Sequence, residues 1–197
     1  MSDPSAQALR AEAIELLLQT KGLITQAQVD EVIQQFNTRT GPLNGALVVA
    51  KAWTDALFKK ALLDDGTLAI ERFNFTGGEV QKLVVVENTE TQHNLVVCTL
   101  CSCYPWAVLG LPPRWYKDPA YRSRVVKEPR KVLAEFGVRL SDEVAINVWD
   151  SSAEVRYMVL PQRPAGSEHL SESDLAGLVT RDSMIGVERL ADYAQSL

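Results

Sequence analysis

The sequence predicts an α+β protein: an N-terminal helical arm over residues 1–40, then a layered α-β-β-α domain over residues 41–197 with a cysteine cluster at a strand end. Three observations predict it. Apolar residues recur at helical spacing through the first third of the chain, short β-branched runs follow with helical patterns between them, and Gly41-Pro42 punctuates the passage from arm to domain. With 46% apolar and 23% charged residues in 197, the chain can build one packed core.

Leu9, Ala13, Ile14, Leu17 and Leu18 form the stripe of a first helix, which Lys21-Gly22 should end with a basic residue and a C-cap glycine. Thr25 precedes Gln28 by three residues, the spacing of a capping box, and Val29, Val32, Ile33 and Phe36 mark a second helix behind it. A third helical region runs from Leu47 to Leu62, with Gly66 as its expected end. After the Thr76-Gly77-Gly78 turn, Val80 to Val86 and Asn94 to Val97 read as strands, so the first cysteine sits where a strand stops. Helical patterns return from Pro119 to Val126 and from Pro129 to Phe136, the second opening with proline at a first-turn position and closing at Gly137. Strands follow at Ala145 to Trp149 and Val155 to Leu160, and Ser171 with Asp174 caps a last helix. The tail from Ile185 has no clear pattern, and strand order stays open.

The balance of 20 basic against 25 acidic residues gives a net charge of −5, which argues against a nucleic-acid partner. No apolar run reaches the roughly 18 residues needed to span a bilayer, and the start of the chain lacks the pattern of a signal peptide. The expectation is a cytoplasmic protein with no membrane partner.

All three cysteines fall in residues 98–103, Cys-Thr-Leu-Cys-Ser-Cys, so their sulfurs can converge on one point. That distribution does not suit a disulfide framework. Buried apolar thiols, a dithiol redox pair and a structural zinc site remain alternatives. A pair leaves Cys103 unexplained, and a closed zinc site needs a fourth ligand that only His93 or His169 offers. If the chain supplies three sulfurs alone, the amide nitrogens of Ser102 and Cys103 can complete five donors and leave one octahedral position open, the arrangement of a Lewis-acid catalyst. Thiolates with deprotonated amides favour trivalent cobalt or iron over zinc.

The segment Val97-Cys98-Thr99-Leu100-Cys101-Ser102-Cys103-Tyr104-Pro105-Trp106 resembles the metal-claw motif of nitrile hydratase alpha subunits. The resemblance continues through Leu109-Gly110-Leu111-Pro112-Pro113, Trp115-Tyr116-Lys117, Tyr121-Arg122-Ser123-Arg124, Val148-Trp149-Asp150, Ala153-Glu154 and Arg156 to Pro161, and takes in Gly45 to Asp55 and Thr180-Arg181-Asp182. It implies that residues 41–197 are a metal-binding catalytic domain hydrating small nitriles to amides at a non-corrin Co(III) centre, with Fe(III) as the alternative. Thr99 and Tyr104 resemble the cobalt-type motif. Cys98, Cys101 and Cys103 would give sulfur ligands, Ser102 and Cys103 amide nitrogens, with Cys101 a sulfinate and Cys103 a sulfenate. A beta subunit in an αβ or α2β2 assembly would bring arginines to the oxidised sulfurs, and an activator or metallochaperone is a further partner to expect.

Trp106 would wall the pocket, and Asp150, Glu154 and Arg156 match positions that orient the site. In an ungapped match Glu79 falls where the family has an active-site glutamine, with Gln81 two residues on, and Ala107 replaces a usual proline. Alternative functions are a thiocyanate hydrolase subunit, which shares the claw, and a non-catalytic thiolate metal-binding protein.

Overall fold

The structure, a computed structural model, describes residues 6–31, 42–73, 75, 82–101 and 103–193. The chain divides into two compact units, Met1–Arg39 and Thr40–Leu197.

In the first unit α1 spans Ala6–Thr20. It ends as its glycine requires: Gly22 has φ 68°, and the N–H groups of Gly22 and Leu23 return to the carbonyls of Gln19 and Leu18. A second helix, α2, is described over 26–31. The capping box forms reciprocally, with Gln28 N–H on Thr25 Oγ1 at 3.3 Å and Thr25 N–H on Gln28 Oε1 at 2.8 Å. The rest of the predicted second helix lies outside the described residues.

The second unit opens with α3 (Pro42–Thr54), α4 (Ala56–Asp64) and α5 (Gly66–Glu71). The single helix expected over 47–62 is therefore divided. Asp55 caps α4 by accepting Phe58 N–H at 2.9 Å, and Asp65 caps α5 by accepting Leu68 N–H at 3.1 Å. Gly66 does not end a helix but opens one. A Cβ there would stand 2.7 Å from Leu83 O, so the residue is glycine because the helix start presses on the neighbouring strand.

Strands β1 (Lys82–Glu87) and β4 (Val155–Leu160) pair in parallel, as do β2 (Gln92–Val97) and β3 (Ala145–Asp150). The Thr76-Gly77-Gly78 turn lies outside the described residues. Each parallel pair needs a long crossover, and the β2–β3 crossover carries α6 (Trp106–Leu109), a 3-10 turn (Arg114–Lys117), α7 (Pro119–Val125) and α8 (Pro129–Glu135). Helices α4 and α5 lie on β1, α8 lies on β3, and β2 touches β1 and β4, so helices flank the two sheets. Between them Leu83, Leu95, Met158 and Leu160 are fully buried.

Ser171 caps α9 (Glu172–Leu178) as predicted, and α9 packs on α3. A further helix, α10 (Arg181–Ile185), is capped by Thr180, whose side chain accepts Ser183 N–H at 3.0 Å. No described helix is long and apolar enough to cross a membrane.

Candidate metal centre

The register of β2 on β3 sets Val97 beside Asp150 at the carboxyl ends of two parallel strands. The chain leaves β2 there, and Cys98 is the first residue beyond it. Cys98 is buried, Cys103 half-buried and Cys101 exposed. Their Sγ atoms lie within 4.8 Å of one another, at 3.2 Å for Cys98 to Cys101 and 2.9 Å for Cys101 to Cys103. The loop turns back because Cys101 N–H points at Cys98 Sγ at 3.2 Å. A metal–sulfur bond of about 2.3 Å puts two sulfurs at right angles on one ion about 3.2 Å apart, so the observed edges fit a shared ion.

Electrostatics favour the same occupant. The Cys103 thiol is pushed up to about 12, first by desolvation, then by its hydrogen bond with Cys101 and the charge of Cys98, while Arg156 pulls the other way. The Cys103 thiol in this cluster resists ionising until a cation joins it.

The loop is held by groups on several elements. Asp150 accepts Thr99 N–H at 2.9 Å and Thr99 Oγ1–H at 2.5 Å, a reach that the Val97–Asp150 pairing makes short. Arg122 on α7 donates to Thr99 O at 2.7 Å, Tyr121 to Val96 O at 2.8 Å, and Tyr116 to Cys103 O at 3.0 Å. Tyr104 and Tyr116 meet edge to face at 5.0 Å, and Trp115 meets Tyr121 and Phe136 at 4.9 Å each, making an aromatic floor under the loop. Burial pushes the hydroxyls of Tyr104, Tyr116 and Tyr121 well above the ordinary phenol range, so all three stay neutral, and those of Tyr116 and Tyr121 act as donors.

Of the site residues read from sequence, the structure brings together Cys98, Cys101, Cys103 and Asp150. Arg156, on β4, is close enough for its charge to act on Cys103, and its buried Nε and Nη1 have no acceptor among the described residues. Trp106 opens α6 with 41% of its surface exposed. Glu154 is exposed and accepts Ser152 Oγ–H at 3.0 Å rather than a group of the loop. Ser102, Glu79 and Gln81 lie outside the described residues.

Neither histidine joins the sulfurs among the described residues. Both His93 nitrogens are committed elsewhere, Nε2 to Gly186 O at 2.7 Å and Nδ1 to Asn88 Nδ2 at 3.3 Å. His169 lies edge to face with Tyr193. Sequence reasoning missed the holding roles of Arg122, Tyr121 and Tyr116. The aromatic and basic residues after the cluster were the available signal, and only the crossover geometry turns them back onto the loop.

Comparison with known proteins agrees with this geometry. The family described as nitrile hydratase, alpha chain, matches residues 5–188. The low-molecular weight cobalt-containing nitrile hydratase subunit alpha of Rhodococcus rhodochrous is 56% identical over 180 residues, covering 91% of this chain and 87% of that one. Thiocyanate hydrolase subunit gamma of Thiobacillus thioparus is 42% identical over 191 residues, covering 91% of this chain and 76% of its own length. Among solved structures, a double mutant of the Fe-type nitrile hydratase from Comamonas testosteroni Ni1 superposes with a TM-score of 0.90 at 41% identity, covering 100% of this chain and 97% of that one.

Proposed function

The chain belongs to the nitrile hydratase alpha-chain family, whose activity is the hydration of nitriles to amides, and from that premise we propose that Cys98, Cys101 and Cys103 hold the metal ion for it. The observation that carries the proposal is the convergence of three sulfurs within 4.8 Å at the end of β2. Cobalt is the ion proposed, because the Rhodococcus relative at 56% identity is named for cobalt, whereas the Fe-type structure stands at 41%. The amides of Ser102 and Cys103 complete the donor set. A trivalent ion so held would supply Lewis acidity for the hydration.

The remaining chemistry belongs to the chain's own side chains. Cys101 is proposed to be a sulfinate and Cys103 a sulfenate, which the exposure of Cys101 permits. The Nε and Nη1 donors of Arg156 support this reading, since they are buried without an acceptor among the described residues and its charge acts on Cys103, which favours anionic, oxygen-bearing sulfur there. Asp150 orients the loop through Thr99, and the half-exposed Trp106 offers an apolar wall to a nitrile. Glu154 is proposed to act from farther out, and Glu79 or Gln81 to supply the polar contact of the pocket. A beta subunit is the proposed partner, covering the exposed side of the loop and bringing arginines to the oxidised sulfurs, with a small nitrile as substrate.

Intact mass with metal analysis on the co-purified complex tests this. One cobalt per chain, with two oxygens added at Cys101 and one at Cys103, is expected, and zinc with unmodified thiols would sink the proposal. Assays with nitriles against thiocyanate separate the hydratase from the related hydrolase.

A further inference from the structure

Cys98, the buried sulfur of the cluster, is gripped on both sides by one helix. Two residues before it Val96 O accepts from Tyr121 at 2.8 Å, and one residue after it Thr99 O accepts from Arg122 Nη2 at 2.7 Å. The two donors are consecutive on α7. That helix has its own N-cap, Asp118, which accepts Ala120 N–H at 2.8 Å. With Asp150 on its N–H and hydroxyl, Thr99 has every polar atom anchored, and the Cys98–Cys101 turn hangs from it.

We propose that Arg122 is a positioning residue of the metal centre, holding the Thr99 carbonyl so that the sulfurs of Cys98 and Cys101 stay one metal edge apart. The inference rests on the hydratase reading. No carboxylate pairs with Arg122 among the described residues, and its buried Nε has no acceptor there, so the carbonyl is its partner and its charge stays available to the anionic loop. Lysine, a point donor on a narrower stem, does not reproduce a guanidinium wedged between helix and loop. An open pocket of about 300 Å³, lined by Thr99, Pro119, Arg122, Ser123, Val126 and Lys127, borders the contact. Truncating Arg122 therefore leaves a solvent-connected space that a small guanidinium can refill.

The test uses the chain co-expressed with its beta subunit, comparing the unaltered complex with Arg122→Ala and with Arg124→Gln, which alters α7 at a residue paired with Glu128 and Glu135 rather than with the loop. Arg122→Ala is expected to lose cobalt to a chelator 10–100-fold faster and to lower kcat over a similar range, with KM within about twofold. The sulfur-to-metal absorption band should shift, and ethylguanidinium should restore part of both band and turnover. Arg124→Gln should leave all of these in place. If Arg122→Ala does not assemble, Arg122→Met, which keeps the stem and removes the donor, carries the same expectations. A competent unaltered complex beside an Arg122 variant with unchanged chelator kinetics, band and kcat would overturn this inference alone. An unaltered complex without cobalt or hydration would overturn the hydratase reading and this inference together.

Discussion

At the scale of single residues the chain separates chemistry from support. Cys103 ends the cluster, and its thiol cannot ionise readily beside two others until a cation arrives. Cys103→Ser should therefore abolish nitrile turnover and cut the cobalt content, read by amide formation and metal analysis on the same sample; full activity with metal bound would remove Cys103 from the site. His93 makes the opposite case, a histidine kept for packing. Desolvation lowers its pKa, Arg189 lowers it further, and the Gly186 carbonyl partly offsets both. The folded state thus prefers the neutral ring, and the linkage has a definite sign. The unfolded chain binds the proton more readily, so stability is full above about pH 6.5 and declines as pH falls towards the folded pKa. Thermal melts between about pH 7 and pH 5 should show that decline, and His93→Gln should flatten it while costing about 1 kcal/mol at neutral pH.

At the scale of elements, glycines with the same backbone conformation carry very different loads. Gly22 and Gly186 both have positive φ, 68° and 94°. A Cβ on Gly22 meets nothing within 4 Å, whereas one on Gly186 would be driven into the Asn94 carbonyl on β2. Gly22→Ala should cost only the left-handed backbone, about 1–2 kcal/mol, and Gly186→Ala about 3 kcal/mol or more, since α10 must also move off the sheet; denaturant melts of the two variants decide it. The capping box at Thr25, the cap at Ser171 and the stops at Gly22 and Gly137 were legible because each is a local rule that nearby residues satisfy. Gly66 misled because its reason is the Leu83 carbonyl, seventeen residues on and invisible to local patterns. The four-residue α6 and five-residue α10 are too short for periodicity to reveal. The clustering of the three sulfurs was legible from spacing alone, whereas the reach of Asp150 needed the parallel β2–β3 register and the contacts of Arg122 and Tyr116 needed the folded crossover.

At the scale of the whole molecule, the centre is finished on one side only. Beneath the loop lie the aromatic floor, the strand ends and α7; above it Leu100 stands 89% exposed between two metal-ligand candidates, with Cys101 exposed beside it and Trp106 41% exposed three residues past Cys103. A leucine so placed gains nothing for the isolated fold, and a water-excluded site for an apolar nitrile cannot have an open roof. The proposed beta subunit fits both demands by covering this face. Leu100→Asp should then leave the thermal stability of the isolated chain within about 0.5 kcal/mol, because the side chain touches little within it. The same change should weaken assembly with the beta subunit by about tenfold or more, since it sets a charge in a desolvated contact beside sulfurs proposed to be oxidised and anionic. Sedimentation of the mixed subunits reads the second effect and a melt of the single chain the first. Unchanged assembly with Leu100→Asp would place the subunit contact elsewhere and leave the loop to be closed by some other part of the complex.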